Sequence, residues 1–379
     1  MNNVLPLLRR IRNSISFITM CIALGFGVLA LALVFFRPNL LTDYPRLAIT
    51  DKENIKFILS FTIGGVFTLT IFTFTMVMNV LDRSISNYSP RLIPLILREK
   101  KHQILLGVTS GTLLYALVMA IVISNSNNED FPPMAASLAI IMSMANIVLF
   151  IYFIHSVSQT IQVNFILYKS FKNTRDNLMK LIYSDLQFIS NKEEDVWIDT
   201  ICFKHCGYLN KIRLQKLIGI SEKQGISFKL LKTMGSFVME NEPVLAASAK
   251  IDTKSVNSIK RCISIDRVEA IDVFEIGFKH LVEVAVKASS PAINDPGTAL
   301  TAIDYLTQLF ILRHKLPDAK GMKSAKGGVL FFEFVPSTQL AEFCFVEMEA
   351  YMGDDPLLMR KLAQSKKSIA QNGNSKKIK

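Results

Sequence analysis

Four long apolar runs dominate the first part of the chain. Ile15 to Phe36 carries no charged residue, Ile55 to Val80 carries only Lys56 near its start, and Ile104 to Ile123 and Met134 to Ile154 are again uncharged. An α-helix rises about 1.5 Å per residue, so about 20 residues cross a hydrocarbon core about 30 Å thick. All four runs reach that length. As buried helices of a water-soluble core they would leave too little polar surface in so short a segment. The pattern therefore predicts an all-α membrane domain of four transmembrane helices. The first run is longer than the roughly 7–15 apolar residues of a secretory signal and lacks a small-residue cleavage pattern, so it reads as a retained helix.

The pattern changes after Tyr168, which sets the first domain at residues 1–168. Residues 169–195 read as a polar connecting helix leaving the bilayer, with Leu178, Leu181, Ile182 and Leu186 on one face. Residues 196–362 read as a cytoplasmic α+β domain, long enough for its own core. There HCGYLNKI is followed by the helical pattern LQKLIGISEKQG and by β-type runs punctuated by Gly225, Gly235 and Pro243. Helix is expected over 268–315 and 337–362, a buried strand at VLFFEFVP, and a basic disordered tail over 363–379.

Charge matters through its distribution. The net charge is +12. Arg9, Arg10 and Arg12 precede the first run, Arg83, Arg91, Arg98, Lys100 and Lys101 lie between the second and third, and Lys169, Lys172, Arg175 and Lys180 follow the fourth. The third connection, SNSNNEDFPP, has no basic residue. Basic flanks stay on the cytoplasmic side, so both termini and the second connection are expected there. Lysines and arginines at the inner membrane face are accounted for by anionic lipid, and no nucleic-acid partner is expected. Of five cysteines, four fall in the expected cytoplasmic part, where thiols stay reduced. The CFKHC spacing of Cys202, His205 and Cys206 lacks a second pair to complete a zinc set, so no metal or other cofactor is expected.

Candidate chemistry falls in two places. In SSPAINDPGTAL, residues 289–300, Asp295 and Pro296 make a helix start, Asp as N-cap and Pro at the first helical position. Pro291 holds Ser290 extended. Ser289, Ser290 and Asn294 receive no structural task in this reading. The loop therefore stays open to two readings: a rigid turn, or a ligand site or subunit contact, with Arg267 and Asp272 at the start of the preceding helix. In that helix Glu275, Lys279, Glu283 and Lys287 are spaced by four and read as a ladder of charge pairs on a solvated face.

The second place is the membrane. Thr68, Thr75 and Asn79 fall on one face of the second run. Tyr152, His155, Gln159 and Gln162 fall on one face of the fourth, and Tyr115 follows the GxxxG of Gly107 and Gly111 in the third. Such polar stripes line a pathway or bridge packed helices. No charged residue lies mid-bilayer, which disfavours a proton-coupled or ion-pair-coupled transporter. No GxSxG, HExxH, P-loop or GxGxxG occurs, so no catalytic residue is assigned and an enzyme is not expected.

The chain resembles the prokaryotic predicted-membrane-protein family known as domain of unknown function 2254. NYSPRLIPLILRE, LLGVTSGTLLYALV, FIHSVSQTIQV, HCGYLNKI, GSFVMENEPVL and ASSPAINDPGTALTAIDYL carry the match, which runs from the first helix to about residue 362. The chain departs from the family's paired histidines at His155-Ser156, and from its Arg-Thr-x-x-Gln-Asp pattern between Arg267 and Asp272. The resemblance implies architecture and no activity. Because four helices are few to enclose a pathway, the expectation is a homo-oligomeric, channel-like permeation protein of a prokaryotic inner membrane. Its cytoplasmic domain would serve assembly or sensing. The alternative is a membrane-anchored signalling or scaffolding protein whose soluble domain binds a ligand or partner.

Overall fold

The computed structural model describes residues 15–36, 52–87, 100–126, 133–160, 163–189, 196–267 and 273–374. The chain divides into two compact units, Met1–Ser84 with Ile96–Gln162, and Ile85–Leu95 with Val163–Lys379.

The first unit contains α1 (Ile15–Phe36), all but the last three residues of α2 (Lys52–Asn87), α3 (Lys100–Asn125) and α4 (Pro133–Thr160). Within them Phe17–Phe36, Lys52–Asn79, Gln103–Asn125 and Ser137–Val157 are long and apolar enough to cross a membrane. α1 and α3 make the most extensive contact. The glycines explain it. A Cβ on Gly107 would come within 2.9 Å of Ile22 Cβ, and one on Gly111 within 2.9 Å of Phe26 Cγ. Lipid supplies no hydrophobic drive between helices, so close van der Waals approach over small residues takes its place. Ala30, Ile55, Leu59, Tyr115, Met119, Ile123 and Ala139 form the core, while Phe35, Phe36, Phe61 and Val148 point outward.

The second unit is α+β. It begins with α5 (Val163–Ile182), β1 (Gln187–Ile189), β2 (Asp199–Cys202), β3 (Gly207–Ile212), α6 (Leu214–Gln224), β4 (Phe228–Leu230) and β5 (Phe237–Val238). It continues with β6 (Pro243–Ala247), α7 (Thr253–Lys260), β7 (Ile263–Asp266), α8 (Phe274–Ser289) and α9 (Pro296–Arg313). It ends with β8 (Gly321–Lys323), β9 (Val329–Phe331), α10 (Ser337–Met352) and α11 (Pro356–Asn374). One sheet has the order β1-β8-β9-β4-β6-β2, and a smaller one the order β5-β3-β7. Pairing is antiparallel except between β4 and β9. α6 is tied to the larger sheet by Ser221, whose hydroxyl donates to Val329 O at 3.1 Å and accepts from Val329 N at 2.7 Å.

α8 is the centre of the helical part, packed by α5, α9 and α10. Phe278, Leu281, Val282 and Ala285 are fully buried, and the Phe278 ring lies 4.7 Å from that of Phe310. This packing corrects the expected solvated charge ladder at its first position only. Glu275 is buried, and Lys279, Glu283 and Lys287 are only partly exposed, because helices cover several sides of α8.

Other expectations are also corrected. A new helix starts at Val163, before the expected boundary at 169, and the range expected to be one connecting helix contains β1. Within the helical ranges 268–315 and 337–362 the chain turns before Pro296, where the sequence itself marks a helix start, and before Pro356. Asp355 caps the helix after the second turn, its Oδ1 accepting from Leu357 N at 2.9 Å and Leu358 N at 3.1 Å. Residues 363–374, expected in a disordered tail, continue α11. Leu358, Leu362, Ser365 and Ile369 are buried on one face of it, which docks on α9. Residues 375–379 lie outside the described residues.

Candidate functional site

The 289–296 loop is built from its own backbone. Its entry follows the last turn of α8, where Ser289 Oγ donates to Val286 O at 2.8 Å and Ser290 Oγ to Lys287 O at 2.6 Å. Asn294 N then donates to Ser290 O and Asp295 N to Ala288 O, both at 2.8 Å. Closing the chain this tightly puts Asn294 at φ +47°, the left-handed region that Asn tolerates better than most residues. Asn294 therefore has the structural task that sequence reading did not find, and it belongs to the backbone. Asp295 caps α9: Oδ1 accepts Thr298 N at 3.1 Å and Oδ2 accepts the Thr298 hydroxyl at 2.6 Å. Arg267 is exposed just after β7, and Asp272 lies outside the described residues. The geometry accounts for Ser289, Ser290, Asn294 and Asp295 as a turn.

The membrane-domain candidates separate into two groups. Thr68, Thr75 and Asn79 on α2 and Tyr152 and His155 on α4 are exposed on the surface of this unit. The Thr68 and Thr75 hydroxyls donate to Gly64 O at 2.8 Å and Ile71 O at 2.9 Å, one turn back in their own helix. Tyr115 is turned inward instead, fully buried, and its hydroxyl bonds Ala135 O at 2.9 Å across to α4. It is a bridge between helices. The Gln159 side chain and Gln162 lie outside what is described.

One membrane residue escaped the sequence reading. Asn146, near the middle of α4, is fully buried. Its Nδ2 donates to Met142 O at 3.0 Å, while its Oδ1 has no partner. A carboxamide amid apolar residues was the available signal, since an unmet polar atom there is costly. Thr73, also fully buried, returns its hydroxyl to Leu69 O at 2.7 Å.

The α+β unit buries an arginine and a carboxyl. Arg313, at the end of α9, is fully buried. Its Nη1 donates to Leu316 O at 2.8 Å, and its Nη2 to Asp318 Oδ1 at 2.6 Å and Val335 O at 2.9 Å. Its guanidinium carbon lies 5.8 Å from the centre of the Phe274 ring. Next to Phe274, Glu275 has an unpartnered Oε2, and Arg313 an unpartnered Nε. Burial pushes the Glu275 carboxyl up to about 7, against the opposing pull of its backbone hydrogen bonds and of Arg313. Among the described residues no three His, Cys, Asp or Glu side chains gather closely enough to hold a metal ion.

Four membrane-crossing helices joined in one chain to an α+β unit define a multi-pass membrane protein. The chain belongs to the family described as "Predicted membrane protein (DUF2254)", whose pattern matches residues 12–367. It is similar to the uncharacterized proteins Mb1321c of Mycobacterium bovis and Rv1290c of Mycobacterium tuberculosis. Each is 23% identical over 331 residues, a match covering 82% of this chain and 61% of the relative. The chain thus covers 61% of the length of these curated relatives. No solved structure matches it.

Proposed function

We propose that this protein is a multi-pass protein of a prokaryotic cytoplasmic membrane that assembles as a homo-oligomer, with a permeation pathway between subunits. In this reading both termini are cytoplasmic, and the α+β unit serves assembly or sensing. One observation carries it: α2 is largely uncovered by the unit's other helices, on its polar and its apolar side alike. Thr68, Thr75 and Asn79 are exposed along its polar side, and so are the small residues Ser60 and Gly64. A Cβ on Gly64 would meet nothing within 4 Å. Exposed Phe57, Phe61 and Phe72 interleave with these residues on the same side; the polar and small positions are matched to another helix or to water, and the phenylalanines to lipid or to a helix contact.

Native mass measurement of the full chain in mild detergent tests the reading. A symmetric assembly larger than a dimer is expected. Gly64→Phe and Thr68→Phe should shift it towards smaller species without unfolding the subunit. A well-folded wild-type monomer would overturn the proposal.

A further inference from the structure

A cleft of about 430 Å³ opens in the α+β unit between α6 and the end of α7. Three of its cations, Arg213, Lys216 and Lys223, come from α6 and its cap, and the fourth, Arg261, from the turn after α7. No carboxylate is among the lining residues. Elsewhere in this unit Lys232 pairs with Glu242, Lys361 with Asp304, Lys366 with Glu349 and Arg313 with Asp318, whereas the four cleft cations are exposed side by side. Among the described residues none of the four cleft cations has an ion pair. Like charges gathered without counter-charges repel one another, so an arrangement of this kind is stabilised by an anion.

The floor of the cleft points the same way. Gly219 sits inside α6, where glycine costs about 1 kcal/mol relative to alanine. No close packing demands it, because a Cβ there would meet nothing within 4 Å. The glycine leaves open the space that the cations surround. Beside it Cys262 is buried, and its sulfur lies 3.4 Å from Ser258 O. Burial pushes the Cys262 thiol up, opposed by the charges of Arg213 and Lys216.

We propose that this cleft is a binding site for a small anion carrying two or more phosphate groups. Its volume falls within the range of roughly 300–1,000 Å³ common for small-ligand sites. Two arginines offer forked donors matched to phosphate oxygens, and two lysines add mobile point charges. The ligand is a soluble phosphorylated compound or the headgroup of a phosphorylated lipid, which present the same chemistry. The proposal does not depend on the membrane unit forming a pathway.

The test is calorimetric titration of the full chain with inorganic pyrophosphate, in nanodiscs of zwitterionic lipid and again in nanodiscs containing anionic phospholipid. Saturable binding is expected in the zwitterionic discs. Weaker apparent binding in the anionic discs assigns the site to lipid headgroups, and unchanged binding assigns it to a soluble ligand. Gly219→Phe fills the cleft without changing its charge and should abolish binding, whereas a diffuse counter-ion layer would ignore it. Lys216→Gln with Arg261→Gln should weaken binding by at least about tenfold, and reads the same question if Gly219→Phe does not fold. Absence of saturable binding in both kinds of disc, or binding unaltered in the folded variants, overturns the proposal.

Discussion

At the scale of single residues, Asn294 and Glu275 show how backbone and burial decide what chemistry can be read. At φ +47°, Asn294 occupies a conformation that costs an ordinary L-residue about 1–2 kcal/mol. Asn294→Ala should therefore lower stability by about 1 kcal/mol, while Asn294→Gly should match or exceed wild type. Thermal melting of the purified variants separates the two. A destabilised Asn294→Gly, or loss of assembly with stability intact, would favour a contact role for the side chain. Glu275 makes a prediction in pH. Its folded-state carboxyl titrates near 7 instead of 4.5, so the folded protein holds the proton more tightly than the unfolded chain. The associated stability is fully present below about pH 4.5 and is lost as pH rises through about 7. The loss is at most about 3 kcal/mol. Glu275→Gln should remove this slope between pH 5 and 8 and melt higher than wild type at pH 8. A variant that follows the wild-type pH profile would refute the assignment.

At the scale of elements, close approach of α5 and α8 rests on Gly277. A Cβ there would clash with Thr174 Oγ1 and come within 2.8 Å of Thr174 Cβ and Cγ2. Gly277→Ala should therefore push the helices apart and cost about 1–3 kcal/mol, read as a lowered melting midpoint. Adding Thr174→Ala should recover part of that loss, since it removes Oγ1 and Cγ2 but leaves Cβ; no recovery would place the strain elsewhere. The existence of the membrane helices was legible because long uncharged runs have few other uses. The turn at Asp295-Pro296 was legible because cap chemistry is local. Burial of Glu275 was not, because an i,i+4 charge pattern identifies one side of a helix and says nothing of how many neighbours cover it. α11 was missed beyond residue 362 for the opposite reason. The basic end SKKIK suggested a solvated tail, and the sparse spacing of Leu362, Ser365 and Ile369 carried the docking face. The left-handed backbone at Asn294 depends on where α8 stops, which the local sequence leaves open.

At the scale of the whole molecule, the proposed orientation follows from where the lysines and arginines lie along the chain, and the native cysteines offer a test of it. Cys206 is exposed on the α+β unit, Cys262 and Cys344 are buried, and Cys21 lies within the first membrane-crossing helix. If the basic connections are cytoplasmic, so is the α+β unit, because an even number of crossings separates the N-terminal arginines from it. An impermeant thiol reagent should then leave Cys206 unlabelled in intact cells and label it after permeabilisation, and Cys206→Ser should remove most of that new signal. The reciprocal probe is Asn127→Cys in the connection that carries no basic residue. It should be labelled in intact cells without permeabilisation. Labelling of Cys206 from outside, with Asn127→Cys protected, would invert the topology and place the four cleft cations on the face of the membrane away from the cytoplasm. Agreement of both probes with the charge distribution would place that cleft on the cytoplasmic side, where soluble phosphorylated compounds and the inner leaflet's anionic headgroups are the two sources that the pyrophosphate titration separates.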